Sequence, residues 1–178
     1  MAEAMGKINT KICFLLVGLA VLIYGCSNEK NNFGPLGSAH QHADIKAYIL
    51  GNAIDLSLPQ YQLQDKLTHF ENWDGDVVHT HATGITLGYI FKTLGMEITE
   101  ECIKTDKGSK YCSEDNAMLK VFVKNRNSDW EIISYAPNYV IQDMDKILVT
   151  YGTESEEGIK EQMESVTDKA KESSMAKG

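Results

Sequence analysis

The chain has 178 residues, about one domain's worth, with 43% hydrophobic content and a formal net charge of −8. That acidity argues against a nucleic-acid partner, because phosphate contacts require clustered Lys and Arg.

The N-terminus carries a positive region, Lys7 and Lys11, followed by an uncharged and mostly apolar run over residues 12–26. This run is shorter than the ~20 residues of a membrane span and matches the apolar region of a signal peptide. The "IYGC" at its end, residues 23–26, has the form of a lipobox with Cys26 as the acylated residue; an uncleaved signal anchor ending near Tyr24 is the alternative. Either outcome places the rest of the chain outside the cytoplasm, tethered to a membrane. The polar, Gly- and Pro-containing stretch 27–37 reads as a flexible linker, and residues 38–152 as the folded domain.

Strand signals dominate that domain. The runs 45–50 and 53–57 flank Gly51–Asn52, a two-residue hairpin turn. The runs 67–71 and 76–81 flank "NWDG", in which Trp73 is expected as an exposed loop aromatic. The period then changes: Leu87, Ile90, Phe91 and Leu94 form one face of a short helix, with Thr83 or Thr86 as its cap and Gly95 as its terminator. Cys102 and Cys112 enclose "DKG", a three-residue hairpin loop that pairs Thr105 with Ser109 and so brings the two cysteines opposite one another. A structural disulfide fits this register and an oxidising compartment, and a redox-active pair is the alternative; no Cys-x-x-Cys is present. The runs 118–123 and 146–151 are the most strand-like of all. Together these elements predict an α+β fold, a mostly antiparallel sheet covered by one helix. The tail, 153–178, is charged. Thr153 and Glu156 have capping-box spacing, and Ile159, Met163, Val166 and Ala170 form a thin apolar stripe, so a solvated, partly docked helix or a partner-binding helix is expected.

All five histidines fall within residues 40–81, four of them in two His-x-His-Ala repeats. On a strand, residues i and i+2 point to the same face, so His79 and His81 present two imidazoles side by side. His69 lies on the preceding strand of the same hairpin. His69, His79 and His81 are therefore the expected core of a metal site, with His40 and His42 completing or flanking it. Glu71, Asp74 and Asp76 are nearby acids able to orient a ring N–H. Neutral imidazoles outside the cytoplasm favour Cu(II) or Zn(II). Three ligands with an open fourth position would resemble a catalytic zinc site, whereas four or five would resemble a closed binding or storage site.

The segments "HQHADIKAYILGNAIDLSLPQYQ", "THFENWDGDVVHTHATGITLGYIFKTLG" and "YVIQDMDKILVTYG", with the spaced cysteines, resemble small exported archaeal proteins common among ammonia oxidisers and often labelled protein-disulfide isomerase. The second half, 84–152, also looks like β-grasp domains of some extracellular proteins of the cobalamin-binding type. Two departures concern turns: Gly51–Asn52 replaces the usual Asn–Gly, and Met144 stands where Gly is expected between Asp143 and Asp145. The resemblance implies a β-grasp-like domain with a disulfide-exchange activity. The histidines imply a tethered metal-binding protein that captures, stores or delivers copper or zinc to a partner protein. A metal-dependent hydrolase or lyase, and a surface binding module with a structural metal, complete the alternatives.

Overall fold

A computed structural model describes residues 32–175. The expected export segment, with Cys13 and Cys26, lies outside the described residues. Among those described, no helix is long and apolar enough to cross a membrane.

Strand β1 (Gln41–Ile49) is followed by the short β2 (Asn52–Ala53), then β3 (Thr68–His69), β4 (Val77–Thr80) and helix α1 (Leu87–Thr93). Next come β5 (Glu97–Ile98), β6 (Cys102–Lys104), β7 (Lys110–Cys112), β8 (Met118–Lys124), β9 (Glu131–Ile132) and β10 (Lys146–Gly152). Helices α2 (Glu156–Ser165) and α3 (Lys169–Met175) close the described chain. The main sheet runs β3-β4-β1-β10-β8-β9, and β2 pairs with the end of β1. Strands β1 and β10 are parallel, while their neighbours pair antiparallel. The first and last strands lie side by side at the centre, with an antiparallel arm on each flank and a helix between the arms in sequence. This is β-grasp topology.

Alternation in β1 decides which face meets which layer. Ala43, Ile45 and Ala47 point into the principal core with Leu87, Ile90 and Phe91 of α1. His42, Asp44, Lys46 and Tyr48 point to the opposite face. Strand β10 is buried on both faces, as its near-continuous apolar run requires: Ile147, Val149 and Tyr151 join the principal core, while Leu148 packs with Ile159 and Val166 of the tail. The sheet therefore has two covered faces, α1 on one and α2 with α3 on the other.

Helix α1 ends as its sequence predicts. Thr86 accepts from the Tyr89 N–H, and Gly95 at φ +72° completes a Schellman motif, with Gly95 N–H to the Lys92 carbonyl and Met96 N–H to that of Phe91. In the second sheet, β5-β6-β7, Cys102 lies directly opposite Cys112 and the two form a disulfide. Thr105 pairs with Ser109 around Gly108, at φ +86°.

Three expectations need correction. The first hairpin pairs Ile49 with Asn52, so its two-residue turn is Leu50–Gly51, not Gly51–Asn52. Both turn residues have positive φ, +50° and +75°, which a type I′ turn demands and which Leu tolerates poorly. The tail is a docked pair of helices broken at Val166, whose backbone is extended, and the cap of α2 is Ser155, not Thr153. Val166 and Ala170 are buried against the sheet. Finally, the described part of the expected linker is pinned in place. Gly34 N–H donates to the Thr83 carbonyl, Gly37 N–H donates to that of His81, and the Phe33 ring packs edge-on against Tyr89 at 4.5 Å.

Candidate metal centre

Strands β3, β4 and β1 are adjacent, and their registers align three histidines in one row: His69 opposite His79, and His79 opposite His42. His81 and His40 lie one step further along the same face, where β4 and β1 leave the sheet. All five rings meet as a closed loop. Centroids are 5.1 Å apart for His40–His42, 4.6 Å for His42–His79, 5.9 Å for His79–His69, 4.9 Å for His69–His81 and 4.9 Å for His81–His40. Among the described residues, His40, His42 and His79 form a group whose ligand atoms all lie within 4.8 Å of one another, close enough to hold one metal ion. The expected core trio was His69, His79 and His81; of it, only His79 belongs to this group. The other two make a separate close pair, with Nε2 atoms 3.4 Å apart.

The backbone under these rings is held at several points. His42 donates its N–H to Asp143 Oδ1, and its carbonyl accepts from Met144 N–H, so the turn before β10 grips it on both sides. That turn places Met144 at φ +68°, the position where the resemblance leads one to expect Gly. Asp145 beneath it is fully buried and accepts from Asn125 Nδ2, the Tyr139 hydroxyl and Gln142 N–H. Burial raises its carboxyl above the usual range despite these donors. The His79 carbonyl accepts from Thr68 Oγ1, and His81 N–H donates to the Leu67 carbonyl.

Two ring orientations follow from hydrogen bonding. His69 Nδ1 lies 2.8 Å from the Asp65 carbonyl, which can only accept, so Nδ1 carries the proton and Nε2 is the basic nitrogen. The Asp65 side chain accepts from Leu67 N–H and from the Tyr89 hydroxyl of α1, tying the helix to this histidine. Burial, and then Asp65, push the Tyr89 phenol up, so it remains a donor. His42 Nδ1 lies 2.9 Å from Ser174 Oγ, which donates to the Ala170 carbonyl. The serine can therefore accept from Nδ1–H, which makes Nε2 the lone-pair nitrogen of His42. A carbonyl or hydroxyl behind each ligand histidine is how proteins fix the tautomer at metal sites. Nothing in the sequence singled out Ser174 or the Asp65 carbonyl for this role, because both reach the site only through the fold.

Of the three nearby acids, Glu71 faces the cluster: Oε2 is 3.6 Å from His69 Nε2, and Oε1 is 3.7 Å from His79 Nδ1. Asp74 and Asp76, expected in the same role, instead bind cations. Lys169 Nζ of α3 sits 3.2 Å from Asp74 and 2.7 Å from Asp76, and Lys46 Nζ is 2.5 Å from Asp76. Burial raises the Asp76 carboxyl, but the Lys169 and Lys46 hydrogen bonds together outweigh it and leave it below the usual range. The same contact, with Asp76 first, raises Lys169. Asp44, two residues along β1 from His42, caps α3: it accepts from Thr167 Oγ1 and from the backbone N–H groups of Lys169 and Ala170. These contacts dock the helix that carries Ser174.

Trp73, at the tip of the β3–β4 loop, is 68% exposed and does not shield the cluster. His42 and His79 are buried, whereas His40 is exposed, so the loop of rings opens to solvent at the His40 end. The arrangement gathers imidazole nitrogens from adjacent strands, three of them close enough to hold an ion, with a solvent-facing end at His40. In comparisons with known proteins, no family model, no curated protein and no solved structure matches the chain.

Proposed function

We propose that this protein binds a transition-metal ion, Cu(II) or Zn(II), outside the cytoplasm while tethered to a membrane, and captures, stores or hands on that ion. The observation that carries this reading is the convergence of all five histidines from three adjacent strands into one loop of rings, with His40, His42 and His79 within metal reach. Imidazole nitrogens suit these borderline ions. The tautomers set by Ser174 and Asp65, and the backbone clamps on His42, mean that little freedom is lost on binding. The mouth at His40 suits exchange with a delivery partner. Tethering rests on the apolar run 12–26 and the "IYGC" at its end.

Calorimetric titration of the full chain, without a polyhistidine tag, tests the reading. Tight Cu(II) or Zn(II) binding is expected, lost in His42→Ala/His79→Ala and also in His79→Ala/His81→Ala. Binding should weaken as acid protonates the imidazoles, since ligand nitrogens must be neutral. Binding no tighter than about millimolar, or unchanged binding in the double variants, refutes it. Mass spectrometry of the native protein tests the tether: an N-terminal modified Cys26 supports lipidation, and an intact Met1 or Met5 terminus supports a signal anchor.

A metal-activated-water hydrolase or lyase is the second reading, favoured by Glu71, a carboxylate beside the open cluster. The exchange activity implied by the family resemblance predicts that Cys102 and Cys112 cycle with a thiol reagent in the folded protein.

A further inference from the structure

The cluster contains more donors than one ion takes, and they are not evenly spaced. Zinc–nitrogen bonds of ~2.0–2.1 Å at tetrahedral angles put two ligand nitrogens ~3.4 Å apart and the centroids of their rings ~5.2 Å apart. His40–His42 and His42–His79, at 5.1 and 4.6 Å, meet that criterion. So do His69 and His81, with centroids 4.9 Å apart and Nε2 atoms 3.4 Å apart. The separations joining His79 to the second pair are wider, 5.9 Å to His69 and 6.5 Å to His81. His40 and His81, 4.9 Å apart, also meet the criterion, so the one wide gap lies between His79 and the second pair. The trio is set apart by its ligand atoms, which all lie within 4.8 Å of one another, and the pair by its two facing Nε2 atoms. Glu71 sits at that gap. One of its oxygens faces His69 Nε2 at 3.6 Å and the other faces His79 Nδ1 at 3.7 Å, so a single carboxylate addresses both groups.

We propose that the cluster is a two-metal site, with His40, His42 and His79 holding one divalent ion, His69 and His81 holding a second, and the Glu71 carboxylate bridging them. This rests on the metal-binding reading above and extends it to a site that reading does not contain. The chemistry is coherent: five neutral imidazoles supply no charge, and the carboxylate supplies the anion that two dications held a few ångströms apart require. The pair alone is a weak two-coordinate site, so the second ion depends on Glu71, whereas the trio does not. The buried end of the cluster, at His42 and His79, belongs to the first ion. His81 stands beside the exposed His40 at the mouth, so both ions are reached from one side.

The test is stoichiometry. The tag-free full chain is saturated with Zn(II), desalted, and its metal counted by native mass spectrometry and elemental analysis. Two zinc ions per chain are expected in the parent. One is expected in Glu71→Gln and one in His69→Ala/His81→Ala, each checked for an unchanged melting profile before it is counted. In a Cu(II)-loaded parent, spin–spin interaction should leave fewer detectable spins than copper atoms, and Glu71→Gln should restore equality. No retained metal in the parent overturns the metal-binding reading together with this one. One zinc per parent chain overturns only the second ion. Two ions retained in both folded variants overturns the assignment of the second ion to these residues. The parent count requires no substitution, so a misfolded variant does not remove the test.

Discussion

Replacing Ser174 with alanine removes one hydroxyl, 2.9 Å from His42 Nδ1 and 132 residues away in sequence. The loss to the fold should be small. An intramolecular hydrogen bond is worth about 1 kcal/mol net, and alanine recovers roughly 0.5 kcal/mol because it is the better helix former at this position in α3. The loss to the site should be larger. Without its acceptor, His42 no longer has Nδ1 fixed as the protonated nitrogen, and the ring can turn or change tautomer. Removing a partner behind a metal ligand typically costs 10- to 100-fold in affinity, about 1.4–2.7 kcal/mol. Competition titration with a chelator of known affinity should therefore show at least tenfold weaker Cu(II) or Zn(II) binding in Ser174→Ala. Denaturant unfolding of the apo protein should shift by less than about 1 kcal/mol. Ser174→Thr keeps the hydroxyl and should restore most of the affinity. Equal affinity in parent and alanine variant would falsify the claim that the tail helix orients a ligand. Equal loss in the alanine and threonine variants would point to helix packing instead of the hydrogen bond.

Removing the disulfide with Cys102→Ser/Cys112→Ser opens a loop of ten-residue separation; chain entropy puts the loss at about 2.7 kcal/mol, and metal affinity should stay within twofold, since the second sheet contributes no ring to the cluster. A double variant that unfolds like the parent but loses a thiol-exchange activity would favour the isomerase reading. Leu50→Asn should stabilise the protein by roughly 0.5–1 kcal/mol, because Asn accepts the left-handed conformation that Leu50 adopts at φ +50°; a lower urea midpoint would contradict the turn assignment. Asp76→Asn should cost about 1–2 kcal/mol at neutral pH by weakening its contacts to Lys169 and Lys46. Because folding lowers the Asp76 carboxyl, its contribution is present above the unfolded carboxylate value of ~3.9 and fades as pH falls through the lower folded value. The stability gap between parent and variant should close in acid, and a gap that widens there would reverse the sign of this argument.

Much of the arrangement is written locally. Alternation in β1 and β4, the capped helix with its terminal Gly95, and the register of the cysteine hairpin are all short-range patterns, and the structure repeats them. The histidine row was legible in part: the hairpin count puts His69 opposite His79, and the His-x-His spacing puts each pair on one face. The choice of trio was not legible. It depends on β1 lying beside β4, a pairing of residues nearly forty positions apart that no local pattern specifies, and this pairing brings His42 to 4.6 Å from His79. The same limit hid the fate of Asp74 and Asp76, because their partner Lys169 arrives from the far end of the chain. The shift of the first turn to Leu50–Gly51 has a different origin. A leucine with positive φ contradicts residue preference, and only the pairing of Ile49 with Asn52 forces it.

The pairing of β1 with β10, and the clasp between Asp44 and the start of α3, also set when the site comes into being during synthesis. His40 and His42 are made early, but the turn that grips His42 lies a hundred residues later, and Ser174 lies later still. Closing loops of that length is entropically slow, and a sheet whose central contact joins its two ends forms late. An emerging chain would thus display loose histidines for most of its synthesis, able to pick up ions only weakly and without order. A chain cut short before its last helix would keep all five imidazoles yet lack the serine that settles His42. Ordered metal uptake would in this way report that the helix carrying Ser174 has been made and docked.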